Sequence, residues 1–249
     1  MSEQRLEWVR QDVEAMCELG RRDPVTSVPS CPGWSVADLL AHVAGSFSGW
    51  WTYTLASSAD DEISAGEYLA ANPPPVPGRP DDAADMLADA AARWLRQAHH
   101  VDPAKPTWTF DGPGRADFWF GRASTECALH RWDAQGAFTD HPTIPDERAA
   151  DAIAETIDAL FPAAISFGMP APPGPVAIIA NDLDNRWVVA PTDAGLVLDP
   201  SANPEVTLTG DASSLCLFLH GRQAPTVDIS DIDTWQAWDQ LVRLYSAKS

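Results

Sequence analysis

The sequence predicts an α+β protein, with a four-helix bundle over residues 1–168 and a small α+β domain over residues 169–249. Three observations carry that prediction. Apolar residues recur at steps of three and four through the first part of the chain, the spacing of amphipathic helices. At MPAPPGP, residues 169–175, the texture changes to short β-rich runs separated by turn clusters. Runs of strands that follow runs of helices indicate an α+β arrangement rather than a βαβ sheet.

The first helix is expected over residues 3–19, where Leu6, Val9, Val13, Met16 and Cys17 form one stripe and Gly20 is a stop signal. After the loop TSVPSCPGW, Ser35 precedes a long apolar stretch ending near Leu55. Ser35 and Asp38 have capping-box spacing, with Asp in place of the usual Glu. Residues 72–80 (NPPPVPGRP) exclude helix and central strand, because six of the nine are Pro or Gly. Asp81, Asp82 and Asp85 then place negative charge at the start of a third helix reaching about His100, favourable to its dipole. The segment 101–116 reads as loop, and further helices are expected over Asp117–Phe138 and Asp146–Ser166. Beyond residue 169, strands are expected at 176–180, 186–191, 195–200, 205–210 and 226–230, with helices at Ala212–Leu219 and Thr234–Ser246.

Composition excludes several functions. With 16 basic and 36 acidic side chains among 249 residues, the net charge of −20 opposes nucleic acid and anionic membrane surfaces. Lys105 and Lys248 are the only lysines, so an anion site must be a local arrangement of Arg. No apolar run approaches the roughly 20 residues that span a bilayer. The N-terminus has no signal-peptide pattern, which leads us to expect a cytoplasmic protein with its four cysteines reduced. A bundle packed with a second domain is compatible with a monomer.

Few residues can carry chemistry. His99 and His100 sit at a helix end, His141 precedes Pro142 in a loop, and His220 ends a predicted helix. His42 and His130 differ, since both fall inside helices. Glu126 and His130 stand four apart, adjacent on one helical face, as either a bidentate metal site or a simple surface pair. His42 lies among Leu39, Leu40 and Val43, with Asp38 four residues earlier, positioned either to orient a metal-binding ring or to satisfy a core histidine. If these two helices face each other, His42, Glu126 and His130 meet in the bundle core. Three protein ligands would leave an open position, the mark of a catalytic site. None of the cysteines reads as a nucleophile: Cys127 should face away from Glu126, while Cys31 could line the pocket.

These segments also resemble a known family. VPSCPGWSVADLLAHVAG, residues 28–45, resembles the second-helix signature of DinB/YfiT-like metalloenzymes, and more narrowly of the mycothiol-dependent maleylpyruvate isomerase family of actinobacteria. ECALHRWDAQGA, residues 126–137, resembles that family's later metal-binding helix. TLTGDASSLCLFLHGR, residues 207–222, resembles a motif of its small, sterol-carrier-like C-terminal domain. The resemblance implies a divalent metal, zinc first, on His42, Glu126 and His130, although Ni²⁺, Fe²⁺ and Mn²⁺ accept the same ligands. It implies mycothiol as thiol cosubstrate, and Arg222 as a catalytic or substrate-anchoring residue, where the plain alternative is a solvated Arg at a helix C-terminus.

The implied chemistry is activation of a low-molecular-weight thiol for addition to an electrophilic small molecule, as a cis–trans isomerase or an S-transferase. A diacid substrate would draw on Arg222, Arg122, Arg131 or Arg115. The alternative is a non-catalytic small-molecule-binding or regulatory protein on the same fold.

Overall fold

The computed structural model describes residues 1–57, 65–73, 75–110, 112–140, 142–193, 195–223 and 226–245; His141, Ser246 and Lys248 lie outside them. Contacts divide the chain into two units, Met1–Thr143 and Ile144–Ser249. The helical stretch 146–166 therefore groups with the second unit, although the composition shift lies later, at residue 169. Its first helix packs on a helix of that unit.

In the first unit, α1 (Ser2–Arg22) buries Leu6, Val9, Val13, Met16 and Cys17. Gly20 does not stop it. A Cβ at that position would sit 2.5 Å from Leu40 Cδ2, so the missing side chain serves close helix–helix approach. Arg21 and Arg22 then complement the dipole in the last turn. α2 (Val36–Ser46) starts at the expected capping box, in which Ser35 and Asp38 satisfy each other's backbone N–H. It continues through a π-helical turn, Phe47–Trp51, into α3 (Thr52–Ala56). The short α4 (Ala65–Ala71) falls in a stretch the sequence left unassigned.

After a 3₁₀ turn at Pro80–Asp82, α5 (Ala83–Ala98) buries Ala83, Ala84, Leu87, Ala90, Ala91 and Trp94. Its alanine-rich face lets α1 and α2 pack closely against it. The segment 101–116 is not simply loop. Pro106–Thr109 (β1) pairs antiparallel with Gly112–Arg115 (β2), and Gly112 adopts a positive φ of 97° beside the tip. Lys105 ties the start of this hairpin down by donating from Nζ to the carbonyls of Leu55 (2.7 Å) and Ser57 (2.9 Å). α6 (Ala116–Gly136) is buried on nearly every side and packs on α1 and α2. The core between the helices centres on Phe47, Trp94, Trp119 and Phe120.

The second unit begins with α7 (Asp146–Glu155), a π-helical turn (Thr156–Leu160) and α8 (Phe161–Ser166). Pro162 cannot donate a backbone hydrogen bond, which accounts for the altered winding just before it. β3 (Val176–Ala180), β4 (Asn185–Thr192), β5 (Gly195–Leu198), β6 (Val206–Gly210) and β7 (Asp228–Ile229) form one sheet in the order β5-β4-β3-β6-β7. β3 and β6 pair in parallel, whereas every other pairing is antiparallel. α9 (Ala212–Leu219) is capped by Asp211, whose carboxylate accepts from the Ser214 N–H at 2.7 Å. α7 packs on α9, and α10 (Ile232–Tyr245) on α8.

Candidate functional site

α2 and α6 pack against each other, and this contact brings the candidate ligands together. The ring centroids of His42 and His130 lie 5.2 Å apart, edge to face, and Trp34 tilts over His42 at 5.0 Å. On α6, Glu126, His130 and Asp133 stand at positions i, i+4 and i+7 and share one stripe. His130 Nε2 lies 3.1 Å from Glu126 Oε2, and its Nδ1 lies 3.0 Å from Asp133 Oδ2. The Glu126–His130 pair is no surface pair, because the His130 ring is only 7 % exposed and Asp133 is fully buried.

Arg122, one turn before Glu126, pairs its buried guanidinium with the other carboxylate oxygen, Oε1. The stripe thus alternates guanidinium, carboxylate, imidazole and carboxylate along α6. Burial alone depresses the His130 imidazole, but hydrogen bonds to Asp133 and Glu126 outweigh it and hold the ring above its ordinary pKa.

The sequence reading placed Asp38 beside His42 as its orienting carboxylate. In the structure, Asp38 Oδ2 accepts from the Ser35 N–H at 2.9 Å and the Ser35 hydroxyl at 2.6 Å, completing the cap. The carboxylate–imidazole hydrogen bond appears at His130, through Asp133. Sequence reasoning assigned no role to Asp133 and looked to Arg122 as a substrate anchor. The signal was present in the spacing, since both sit three or four residues from an assigned ligand.

Among the described residues no group of three or more His, Cys, Asp or Glu side chains stands in metal-ligating geometry, because Glu126 is turned onto His130 and Arg122. All four cysteines are buried and outside any disulfide. Cys127 belongs to the helical core, and burial pushes the Cys17 thiol up to about 11. Arg222 lies in the second unit just beyond α9, where Nη1 donates to the His220 carbonyl at 2.9 Å. Arg115 pairs with Asp117, and Arg131 with Asp12. Cavities of about 370 and 430 Å³ open elsewhere on the first unit, lined respectively by residues such as Arg10, Cys17 and Leu95, and Tyr53, Tyr68 and Asn72. No described helix is long and apolar enough to cross a membrane.

Comparison with known proteins follows the same outline. Residues 7–135, just over half of the chain, match the family described as the mycothiol maleylpyruvate isomerase N-terminal domain. No curated protein sequence matches the chain significantly. Two crystal structures share its fold, each aligned over 92 % of this chain and 93 % of the other with a TM-score of 0.63. One is a mycothiol-dependent maleylpyruvate isomerase at 20 % identity, and the other is a single-residue mutant of a protein so named, at 18 % identity. Matched by the family model across the bundle that holds His42, Glu126 and His130, the chain belongs to the mycothiol maleylpyruvate isomerase N-terminal domain family.

Proposed function

We propose that the chain is a metal-dependent enzyme that activates a low-molecular-weight thiol, mycothiol, for addition to an electrophilic small molecule, with maleylpyruvate-type cis–trans isomerisation as its reaction. The observation that carries this reading is the convergence of His42, Glu126 and His130 at the α2–α6 contact. The two separations given for them are close to those of donors sharing one divalent ion, which Glu126 would reach by turning off Arg122 and His130. Tetrahedral zinc with bonds of about 2.0–2.1 Å sets neighbouring donor atoms about 3.3 Å apart and two imidazole centroids about 5 Å apart. The corresponding distances are 3.1 Å between Nε2 and Oε2 and 5.2 Å between the rings. An ion bound there would lower the pKa of a thiol and supply Lewis acidity in a buried setting.

The chain's own residues supply the rest. His42, Glu126 and His130 would hold the ion, and Arg122, paired with Glu126 Oε1, restrains the carboxylate. The Trp34 ring packs on His42 and limits its rotation. For isomerisation, the thiolate sulfur bonds to one carbon of the activated cis double bond, and the π electrons move onto the conjugated carbonyl oxygen. Rotation about the new single bond follows. The electron pair then returns, reforms the double bond as trans and expels the thiolate. In S-transfer the adduct is instead protonated and released. Arg222, in the segment that resembles the family's C-terminal motif, is assigned as a catalytic or substrate-anchoring residue. A cytoplasmic location suits a thiol cosubstrate and four cysteines outside any disulfide.

The test is metal content on untagged protein, followed by isomerisation of maleylpyruvate with and without mycothiol. About one ion per chain and thiol-dependent isomerisation without thiol consumption establish the reading. Consumption of thiol into a stable adduct assigns S-transfer instead. Absence of both, with small molecules bound tightly, turns the assignment to a binding protein.

A further inference from the structure

We propose that Asp133 is the positioning residue of the site: it fixes the tautomer and orientation of His130 so that Nε2, not Nδ1, is presented beside Glu126 and His42. The inference rests on the proposed role of His130 as a ligand, but its structural part stands without metal. Asp133 is fully buried on α6, three residues after His130, and its Oδ2 lies 3.0 Å from Nδ1. An ionised carboxylate can only accept a hydrogen bond, so the contact requires the proton on Nδ1. In the neutral ring the remaining lone pair then sits on Nε2. That nitrogen is 3.1 Å from Glu126 Oε2, and the ring stands edge-on to His42.

Either neutral tautomer sets one ring lone pair against a carboxylate, but Glu126 is 31 % exposed and shares its charge with Arg122, whereas Asp133 is fully buried, so the proton is worth more on Nδ1 and the bare nitrogen falls to Nε2. A fully buried charge cannot turn to solvent to relieve that repulsion, so Asp133 selects one state of the ring instead of merely tolerating it. Restrained on both sides, the ring presents its donor atom before any ligand arrives. A carboxylate of this kind is worth about 10–100-fold in metal affinity.

The experiment has two arms. The first uses metal-free wild-type protein, with ¹⁵N–¹H long-range correlations of the histidine rings recorded at alkaline pH and the His130 signals assigned through His130→Gln. The expected pattern is a protonated Nδ1 and a bare Nε2. A protonated Nε2 overturns the proposal, whatever the variants do. The second arm measures Zn²⁺ affinity by competition with a chelating dye in wild type, Asp133→Asn and His42→Ala, with folding of each checked by circular dichroism. Asp133→Asn should bind about 10–100-fold more weakly, and His42→Ala more weakly still. Wild-type affinity in Asp133→Asn overturns the proposal. Should the wild type itself bind no zinc, the ligand reading of the site fails, and the tautomer measurement alone decides the role of Asp133.

Discussion

Among the described residues two histidines are buried, and in two ways. On α6, His130 lies between two carboxylates, Glu126 and Asp133, with Arg122 close behind. At the end of α9, His220 Nδ1 lies 2.8 Å from the Cys216 carbonyl, and Nε2 lies 3.3 Å from the Thr156 hydroxyl. Both rings are more than nine-tenths buried, so burial does not distinguish them. Partners do. A buried ring set between two carboxylates at a contact with a second histidine is poised to exchange a proton for a cation, whereas His220 ties the end of α9 to Thr156 on the π-helical turn after α7. The bundle thus concentrates buried charge along α6, while the second unit builds its sheet core from Val176, Ile178, Val189 and Leu208.

The widest separation between the two histidines is expected in function. His130→Ala should lose the bound ion and lower activity by at least about 1,000-fold, as removal of several kcal/mol of electrostatic stabilisation implies. His220→Ala should keep the ion and lose about 2 kcal/mol of stability in urea. Equal metal content in the two variants would erase the distinction.

Next comes the contrast between buried charge and apolar packing. Asp12 on α1 is 1 % exposed, and its Oδ1 lies 2.8 Å from Arg131 Nε, a close ion contact rather than a well-aligned hydrogen bond. Asp12→Ala leaves the guanidinium poorly compensated and should cost about 3 kcal/mol. Ile178→Val in the sheet should cost only about 1 kcal/mol. Gly20→Ala sharpens the same contrast within the bundle. The new methyl would meet Leu40, and the strain should cost about 1–2 kcal/mol if α1 and α2 pack as closely as described.

The smallest expected effect is at the start of α2. Ser35→Ala removes the cap and should cost about 1 kcal/mol. Its partner Asp38 adds a pH dependence. Hydrogen bonds from the Ser35 hydroxyl and N–H hold the Asp38 carboxyl below its usual range. A carboxyl with a lowered folded-state pKa stabilises the fold fully above its unfolded pKa, about 3.9, and loses that contribution as pH falls through the folded value. Urea titrations should therefore show the difference between wild type and Asp38→Asn at pH 6 and see it shrink below pH 4.

The parts legible in the sequence were those set by local rules. The cap of α2 needed only Ser35 and Asp38 at the right spacing. The strand Val176–Ala180 and the helix Ala212–Leu219 fall at their expected bounds, because apolar period and turn residues agree there. The hairpin at 106–115 was missed because Pro and Gly dominate it; the Asp-Gly pair at 111–112 was the available signal. α6 hid its ordering because it is buried nearly all round, with polar Arg122, Thr125, His130 and Asp133 among its buried residues, so apolar periodicity says little there.

What the sequence determined by itself was the α+β class, the periodicity of the helices, their caps and the spacing of Glu126 and His130, all consequences of neighbours within a turn or two. Only the tertiary structure decided that His42 reaches His130, that Asp38 serves a cap while Asp133 serves the imidazole, that Gly20 admits Leu40, and that residues 146–166 group with the sheet unit. The physical reason is common to these. A side chain's first partner is set by helical pitch, but a choice among several partners is settled by which face the packed core leaves buried, and packing is a property of the whole unit.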